Sequence, residues 1–327
     1  MVKIVTLCDD GMEKYEKEYL SQYSDFEIIH HPTMDEDEII EVAKDADYIA
    51  VAYEPLTERV LSELKNLKMV AYRSIGFNSI DMEYANKINL AVSNIPNYCV
   101  PEVADYVMAA ILMHNRRLME FNNSVKLDHK WDFQLVPDMR RMGVLTVGFI
   151  GFGAIARAVV DRLKPFGCHM IAYDPFLSEE VFEEYGVTSV SLEDIFKESD
   201  YISSHLPLNP HTEKMLDKTY FDLTEKSPVF INSSRGGVVN EEDLVSALNS
   251  EKISLAILDV VSEEYPDVEN HPLVSHDKVV ITPHIAYFSQ ESETQSVQDN
   301  LDNIINFENK NYEQVPIVNR KNIELDY

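Results

Sequence analysis

Residues 144–156 read VLTVGFIGFGAIA, an apolar run that leads directly into two closely spaced glycines. β-Branched and aromatic residues dominate the run and predict a buried strand over residues 144–150, followed by a helix over residues 157–166. Such a glycine turn between strand and helix is typical of dinucleotide-binding folds, because Gly151 permits the tight turn and Gly153 lets the backbone approach a pyrophosphate. The same glycines could instead serve only to pack the helix on the strand.

An acidic residue ends the next predicted strand. Asp174 follows residues 170–173, about 20 residues beyond the glycines, where a carboxylate can accept hydrogen bonds from the adenosine ribose hydroxyls. A 2′-phosphate would be repelled there. The pattern therefore favours NAD over NADP, although Asp174, which precedes Pro175, could also be an ordinary turn residue.

Short β-branched runs alternate with helix-length amphipathic segments along the chain, which indicates βαβ units and parallel sheets. A chain of 327 residues is long enough for two domains. A helix predicted over residues 101–129 lies between them, and a second over residues 290–309 is expected to pack on the first domain. The predicted strands cover residues 2–7, 27–29, 48–52, 68–72 and 91–93, then 144–150, 170–173, 201–204, 229–232, 255–260 and 279–282.

Composition excludes several classes of protein. Lysine and arginine total 28 against 57 aspartates and glutamates, a formal net charge of -29, so neither nucleic acid nor an anionic membrane is an expected partner. No stretch approaches the ~18 apolar residues of a membrane span. The three cysteines have no paired spacing, which argues against disulfides and a metal site and favours the reducing cytoplasm. An anionic substrate would need locally concentrated positive charge.

Three polar clusters end predicted strands, at residues 232–237, 258–264 and 282–286. Open parallel sheets bind their ligands at this edge. The clusters supply one arginine, Arg235, and one histidine, His284, together with carboxylates. Each residue alone is commonly a surface or turn residue, but their joint occurrence after one dinucleotide turn indicates a catalytic site.

Several further motifs occur in a fixed order, and with them nearly the whole chain resembles the D-isomer-specific 2-hydroxyacid dehydrogenases, in particular the branch similar to C-terminal-binding-protein-like dehydrogenases. That resemblance implies an α/β fold of two doubly wound parallel-sheet domains with the active-site cleft between them. A flavodoxin-like substrate domain would comprise residues 1–100 and 287–327, and a Rossmann NAD-binding domain residues 101–286. A homodimer through the helix starting near Pro101 is also implied. The additional motifs are residues 73–78, 94–96, 103–105, 205–208 and 283–284.

The implied activity is the NAD-dependent reduction of a small or medium 2-keto acid, of the pyruvate, branched-chain or phenylpyruvate type, to the D-2-hydroxy acid. By resemblance, Arg235 would bind the substrate carboxylate and polarise the keto oxygen, and His284 would donate the proton. Glu264 would pair with His284, since a neighbouring carboxylate favours imidazolium and fixes the ring. The backbone amides of Ile75 and Gly76 would hold the substrate carboxylate.

The resemblance also assigns positions along the cofactor. These are Gly151, Gly153, Ala154 and Ile155 at the pyrophosphate, Asp174, Leu206, Pro207 and Thr212 along the adenosine half, Ser233, Ser234 and Arg235 near the nicotinamide ribose, Asp259 at the carboxamide, and His284.

Some positions remain open between two interpretations. Tyr287 and Phe288, with Tyr53, could line an apolar pocket for the substrate side chain or simply pack the cleft. His205 could line the cofactor site or be structural. The alternative to an enzyme is an NAD(H)-responsive regulatory or corepressor-like protein of the same fold. Such a protein needs no proton donor, so the retained His284 favours the enzyme.

Overall fold

The computed structural model describes residues 1–325, so Asp326 and Tyr327 of the predicted segment 287–327 lie outside the described residues. The chain divides into two compact units, Met1–Tyr98 with Ser289–Tyr327 (unit 1) and Cys99–Phe288 (unit 2). The first segment of unit 1 thus ends at Tyr98, two residues before the predicted domain boundary at residue 100. Its second segment begins at Ser289, two residues after the predicted boundary at residue 287.

Strands and helices alternate along both units. The strands are β1 (Val2–Thr6), β2 (Phe26–His30), β3 (Tyr48–Val51), β4 (Met69–Tyr72), β5 (Ala91–Ser93), β6 (Thr146–Ile150), β7 (His169–Tyr173), β8 (Thr188–Ser189), β9 (Tyr201–Ser204), β10 (Val229–Asn232), β11 (Leu255–Leu258) and β12 (Val279–Ile281). The α-helices are α1 (Glu13–Leu20), α2 (Glu36–Ala43), α3 (Glu58–Glu63), α4 (Met82–Lys87), α5 (Val100–Asn115), α6 (Leu118–Lys126), α7 (Ala154–Leu163), α8 (Glu179–Tyr185), α9 (Leu192–Glu198), α10 (Lys218–Phe221), α11 (Glu241–Asn249) and α12 (Gln290–Glu308).

Unit 1 contains a parallel sheet in the order β2-β1-β3-β4-β5, which is the flavodoxin order. Strands β3, β4 and β5 are buried along their whole length. This burial explains why their sequences are continuous apolar runs and do not alternate with polar residues. Helix α12 packs on this unit as expected, with Val297, Leu301 and Ile304 buried in one cluster with Ile4 and Tyr48.

Unit 2 contains a parallel sheet in the order β12-β11-β10-β9-β6-β7-β8. This is the Rossmann order extended by a seventh strand, and the strand order reverses between β6 and β9. The predicted fold class, α/β with two doubly wound parallel sheets, is therefore confirmed. The loops after β6 and β9, on either side of this reversal point, start at the carboxyl ends of their strands.

The predicted single helix over residues 101–129 is wrong. Helix α5 ends at Asn115, and α6 begins at Leu118 after Arg117, which adopts a left-handed φ of 52°. Apolar spacing continues on both sides of the break, so periodicity does not reveal it. Helix α7 begins at Ala154, three residues before the predicted start at residue 157.

The short strand β8 was not predicted. Its two residues are exposed and pair only with β7 at the sheet edge, so they carry no apolar pattern. Among residues 1–325, no helix combines the length and the apolar character needed to cross a bilayer.

Candidate active site

The turn between β6 and α7 has the form that a bound dinucleotide requires. Gly151 adopts a φ of 86°, and a Cβ atom there would lie 2.9 Å from the His205 carbonyl oxygen, so only glycine fits without strain. Gly153 is the N-cap of α7, no side chain caps the helix, and a Cβ atom at Gly153 would meet nothing within 4 Å. The space beside Gly153 is therefore open, and an uncapped helix N-terminus of this kind is suited to a phosphate.

The Asp174 carboxylate is fixed beside this turn. The Phe152 amide donates to Oδ2 at 3.0 Å and the Phe176 amide donates to Oδ1 at 3.0 Å. No lysine or arginine of the described part of unit 2 forms an ion pair with Asp174, and its remaining lone pairs can accept ribose hydroxyls. The hydrogen bond from the Phe176 amide is typical of a turn. Asp174 can therefore be a turn residue and still offer its carboxylate to a ribose, so the two interpretations are compatible.

A buried asparagine, Asn232, holds the two residues Ser234 and Arg235, called here the Arg235 segment. Asn232 ends β10, and its Oδ1 accepts hydrogen bonds from the Ser234 amide at 3.0 Å and the Ser234 hydroxyl at 2.7 Å. Its Nδ2 donates to the Arg235 carbonyl at 3.0 Å. The Arg235 Nη1 donates to the Ser234 carbonyl at 2.7 Å, and no Asp or Glu of unit 2 forms an ion pair with this guanidinium. The charge thus remains available for an anion.

Next to this segment, Ser233 carries a buried hydroxyl without a hydrogen-bond partner among residues 1–325. Buried polar atoms are nearly always satisfied, so this orphaned oxygen fits a site that is completed by a bound polar group. Gly236 then allows the turn after β10 to pass against the loop after β11. A Cβ atom there would lie 1.9 Å from the Val261 carbonyl carbon, which no larger residue could accommodate.

His284 and Glu264 meet at the carboxyl ends of β12 and β11. The Nδ1 of His284 donates to Oε1 of Glu264 at 2.5 Å, with both side chains partly exposed. This contact fixes the ring orientation, and it places a proton on Nδ1 that is hydrogen-bonded to the Glu264 carboxylate. In the imidazolium form, Nε2 carries the second proton, which a substrate oxygen could receive.

Asp259 holds the turn that carries His284. Its carboxylate is 1% exposed and accepts hydrogen bonds from the Thr282 hydroxyl at 2.6 Å, the Ile285 amide at 2.9 Å and the Ala286 amide at 2.8 Å. Burial raises the pKa of Asp259, while these hydrogen bonds act in the opposite direction. Three of its acceptor positions are thus used within the turn.

His284 itself adopts a left-handed φ of 54°, a conformation that costs an L residue roughly 1–2 kcal/mol. Strain of this kind persists only where surrounding contacts impose it. Here the Asp259 carbonyl accepts the His284 amide at 2.8 Å, in addition to the carboxylate contacts on the next two residues. The Tyr106 hydroxyl supports the same turn from α5, at 2.7 Å from the Thr282 hydroxyl.

One aromatic ring contacts the histidine, and a second ring contacts the first. The ring of Tyr287 lies edge-on to His284 with 6.0 Å between centroids, and Phe288 lies edge-on to Tyr287 at 6.3 Å. Phe288 is exposed. An apolar surface therefore lies directly beside the candidate proton donor.

The loop after β9 carries the remaining predicted positions. Leu206 is buried, Pro207 is exposed, and the Thr212 hydroxyl donates to the Pro207 carbonyl at 2.6 Å. The Nε2 of His205 lies 2.9 Å from the Ser203 hydroxyl. Burial lowers the pKa of His205 to about 4, so this ring is neutral near pH 7, as expected of a structural histidine.

Unit 1 places its predicted residues at the carboxyl edge of its own sheet. Tyr53 follows β3, and its amide donates to Oε2 of the buried Glu54 at 3.0 Å. Ile75 and Gly76 follow β4 and are partly exposed. The predicted residues of unit 2 likewise all follow the carboxyl ends of strands in its single sheet. No group of three potential metal ligands occurs among the described residues.

Sequence reasoning missed two kinds of residue. The support of the Arg235 segment by Asn232 was not foreseen, and Asp259 was assigned only to the cofactor although it anchors the His284 turn. A polar residue that ends an otherwise apolar strand, as Asn232 does, is the signal that could have found the first. No spacing rule reveals the second, because the bonds from Asp259 span more than 20 residues.

Comparison with known proteins identifies relatives over most of the chain. A sequence model described as "D-isomer specific 2-hydroxyacid dehydrogenase, NAD binding domain" matches residues 108–286. A glyoxylate reductase from Aeropyrum pernix is 32% identical over 301 residues, which are 89% of this chain and 88% of that protein. A structure of D-lactate dehydrogenase from Aquifex aeolicus, complexed with NAD and lactic acid, is 30% identical with a TM-score of 0.84. The match covers 95% of this chain and 97% of that one.

Relatives also include longer proteins. A D-3-phosphoglycerate dehydrogenase from Methanocaldococcus jannaschii is 32% identical over 295 residues, which are 90% of this chain but 55% of that protein. The chain therefore spans about half the length of this relative.

Proposed function

The chain belongs to the D-isomer-specific 2-hydroxyacid dehydrogenase family and has NAD as its cofactor; from this we propose that it reduces small or medium 2-keto acids to D-2-hydroxy acids. Pyruvate, branched-chain keto acids and phenylpyruvate are the candidate substrates. The observation that carries the proposal is the 2.5 Å contact between His284 and Glu264, which follow β12 and β11. The neighbouring strand β10 is followed by Arg235, an arginine that lacks a carboxylate partner in unit 2. A purely regulatory NAD(H)-binding protein would have no use for that pair.

In the proposed reaction, NADH supplies the hydride that the keto carbon accepts. Arg235 binds the substrate carboxylate and draws electron density toward the keto oxygen, which makes the carbon more electrophilic. His284 donates one proton to that oxygen and ends neutral, so hydride and proton together convert C=O to CH–OH. Glu264 keeps the ring oriented through its contact with Nδ1. Ile75 and Gly76 donate their backbone amides to the substrate carboxylate.

Substrate size is proposed to depend on aromatic residues. Tyr287 stacks edge-on against His284, and Phe288 extends this apolar surface. Such a surface favours a branched or aromatic side chain over a hydrogen atom, because burying each CH₂ contributes about 0.8 kcal/mol.

The experiment is an NADH oxidation assay on the purified protein with pyruvate, 2-ketoisocaproate and phenylpyruvate. We expect absorbance at the nicotinamide band to fall with at least one of them, and chiral analysis of the product to show the D isomer. Absorbance that stays constant with every keto acid would reject the proposal.

Asp174 is proposed to select NADH over NADPH. Substituting Asp174→Asn removes the negative charge but keeps an oxygen that can accept a backbone amide. We expect the ratio of the two dissociation constants to shift toward NADPH about tenfold. Fluorescence titration with both cofactors measures it. Asp161→Asn, an exposed carboxylate on α7, is the control and should leave the ratio unchanged; an equally unchanged ratio in Asp174→Asn would remove the assignment.

We also propose a homodimer, together with a cytoplasmic location. Helix α5, which begins near Pro101, buries most of its apolar residues within unit 2. Exposed apolar residues lie farther on, in the segment after α6: Leu127 is 70% exposed, Trp131 92% and Phe133 85%. Large exposed aromatics of this kind mark association surfaces, and a second copy of the chain is the partner that the resemblance implies.

The substitution Trp131→Asp tests the dimer. A charge in the centre of an apolar interface is expected to weaken association at least tenfold, which sedimentation velocity detects as a shift toward monomer. Phe176→Asp is the matched control, since Phe176 is 93% exposed but lies in a different loop. Wild-type protein that sediments as a monomer at micromolar concentration would contradict the dimer.

A further inference from the structure

Three successive peptide carbonyls in the loop after β4 are each engaged within unit 1. The Ile95 amide donates to the Ser74 carbonyl at 3.2 Å. The Nδ2 of Asn94 donates to the Ile75 carbonyl at 2.7 Å, and the Ser74 hydroxyl donates to the Gly76 carbonyl at 2.6 Å. Each donor fixes the plane of one peptide group.

The opposite side of these peptides presents N–H groups. In a trans peptide the N–H points away from the C=O, so holding the carbonyls of residues 74–76 also sets the directions of the amides of Ile75, Gly76 and Phe77. Within residues 1–98 and 289–325, none of these three amides donates to an acceptor, and all three residues are partly exposed. Successive unpaired amides form a concavity that binds anions.

Asn94 is itself held in place. It is 8% exposed and follows β5, where its carbonyl accepts a hydrogen bond from Nδ2 of Asn303 at 3.0 Å. The Asn94 amide donates to the Pro316 carbonyl at 3.4 Å. With its backbone fixed on both sides, the side chain holds the Ile75 carbonyl with little freedom to turn away.

We propose that Asn94 is a positioning residue that orients the peptide between Ile75 and Gly76, so that the Gly76 amide is directed at the substrate carboxylate before substrate binds. This inference rests on the proposed function, because it assigns those amides to a 2-keto acid. Asn94 does not touch the substrate in this account. Its effect passes through one backbone carbonyl, and it should therefore change substrate binding more than the chemical step.

The test is Asn94→Ala, measured with the best 2-keto acid. Loss of the orienting bond is expected to raise KM about tenfold, while kcat changes less than about twofold and the Kd for NADH stays the same. The dissociation constant of oxamate, a carboxylate inhibitor, should rise by the same factor in the presence of NADH. Asn94→Asp should behave similarly, since a carboxylate cannot donate to the Ile75 carbonyl.

Asn300→Ala is the matched control. Asn300 is also buried, and its Nδ2 donates to a backbone carbonyl of the same sheet, that of Ala71, at 2.9 Å. Its loss should lower the melting temperature to a similar degree without changing KM for the keto acid. An equal rise of KM in both variants would mean that general destabilisation is the cause, and would overturn the inference.

A second measurement does not depend on turnover. Hydrogen exchange at the amides of residues 75–77 should slow when oxamate is added to wild-type protein with NADH, and should slow much less in Asn94→Ala. If Asn94→Ala does not fold, Asn94→Asp replaces it, because that variant keeps the size of the side chain but removes the donor to the Ile75 carbonyl. Full protection of these amides in the variant would contradict the inference.

The outcomes separate the two proposals. Wild-type protein that turns over keto acids, with an unchanged KM in Asn94→Ala, overturns only the inference about Asn94. Wild-type protein that turns over no keto acid overturns the proposed function and this inference with it.

Discussion

Replacing His284 by alanine is expected to lower kcat by about 10²–10⁴-fold, the range that positioned proton transfer contributes. NADH affinity should change much less than kcat, because most of the positions assigned to the cofactor, including the glycine turn after β6 and Asp174 after β7, are left in place. Stopped-flow or steady-state NADH oxidation gives kcat, and fluorescence titration gives the cofactor affinity. A kcat within a factor of a few of wild type would exclude His284 as the proton donor.

The control for this variant is His169→Ala. His169 is exposed and begins β7, at the opposite edge of the sheet from the candidate site, so its removal should leave both parameters unchanged. A parallel loss of kcat and NADH affinity in His284→Ala would instead indicate that the strained turn after β12 no longer folds. Glu264→Gln should reduce kcat less than His284→Ala, since a neutral amide can still orient the ring.

Replacing Arg235 by alanine is expected to lower kcat/KM by about 10³-fold. Removing one partner of a desolvated charged pair costs roughly 2–5 kcal/mol, and the guanidinium is assigned both to the carboxylate and to polarisation of the keto oxygen. Arg235→Lys should recover only part of the loss, because an ammonium group cannot make the bidentate contact. Steady-state kinetics over a range of keto acid concentrations gives kcat/KM for each variant.

Arg141→Ala provides the comparison, since Arg141 is exposed in unit 2 and its loss removes the same net charge. Any effect of the overall field on an anionic substrate would appear in both variants. Similar kcat/KM values for Arg141→Ala and Arg235→Ala would therefore rule out a specific role of Arg235.

Much of the fold was predictable because the relevant signals are local. Strands β3, β4 and β10 are buried on both faces and appear as short apolar runs, and the helix-length segments between strands leave only parallel pairing. Strand ends were less certain: β6 begins at Thr146, where residue 144 was predicted, since Met142–Val144 forms a turn of 3-10 helix. Apolar character alone does not distinguish that turn from a strand.

The candidate site was predictable to the extent that its residues follow strands. Arg235, Glu264 and His284 all follow carboxyl ends of one parallel sheet, and neighbouring ends of such a sheet meet at one edge. Contacts that support these residues were not predictable in the same way. Asn232 and Asp259 act through bonds to loops whose paths depend on the packing of the whole unit.

The sequence by itself therefore determined the order of the βαβ units, the glycine that must adopt a positive φ at residue 151, and the chemical types placed at the strand ends. These properties follow from periodicity and from the steric limits of single residues. Only the tertiary structure decided that Asp259 holds His284 in a left-handed conformation and that Asn94 holds the Ile75 carbonyl. Such bonds join residues far apart in sequence, so their existence depends on where folding brings each backbone group and not on local pattern.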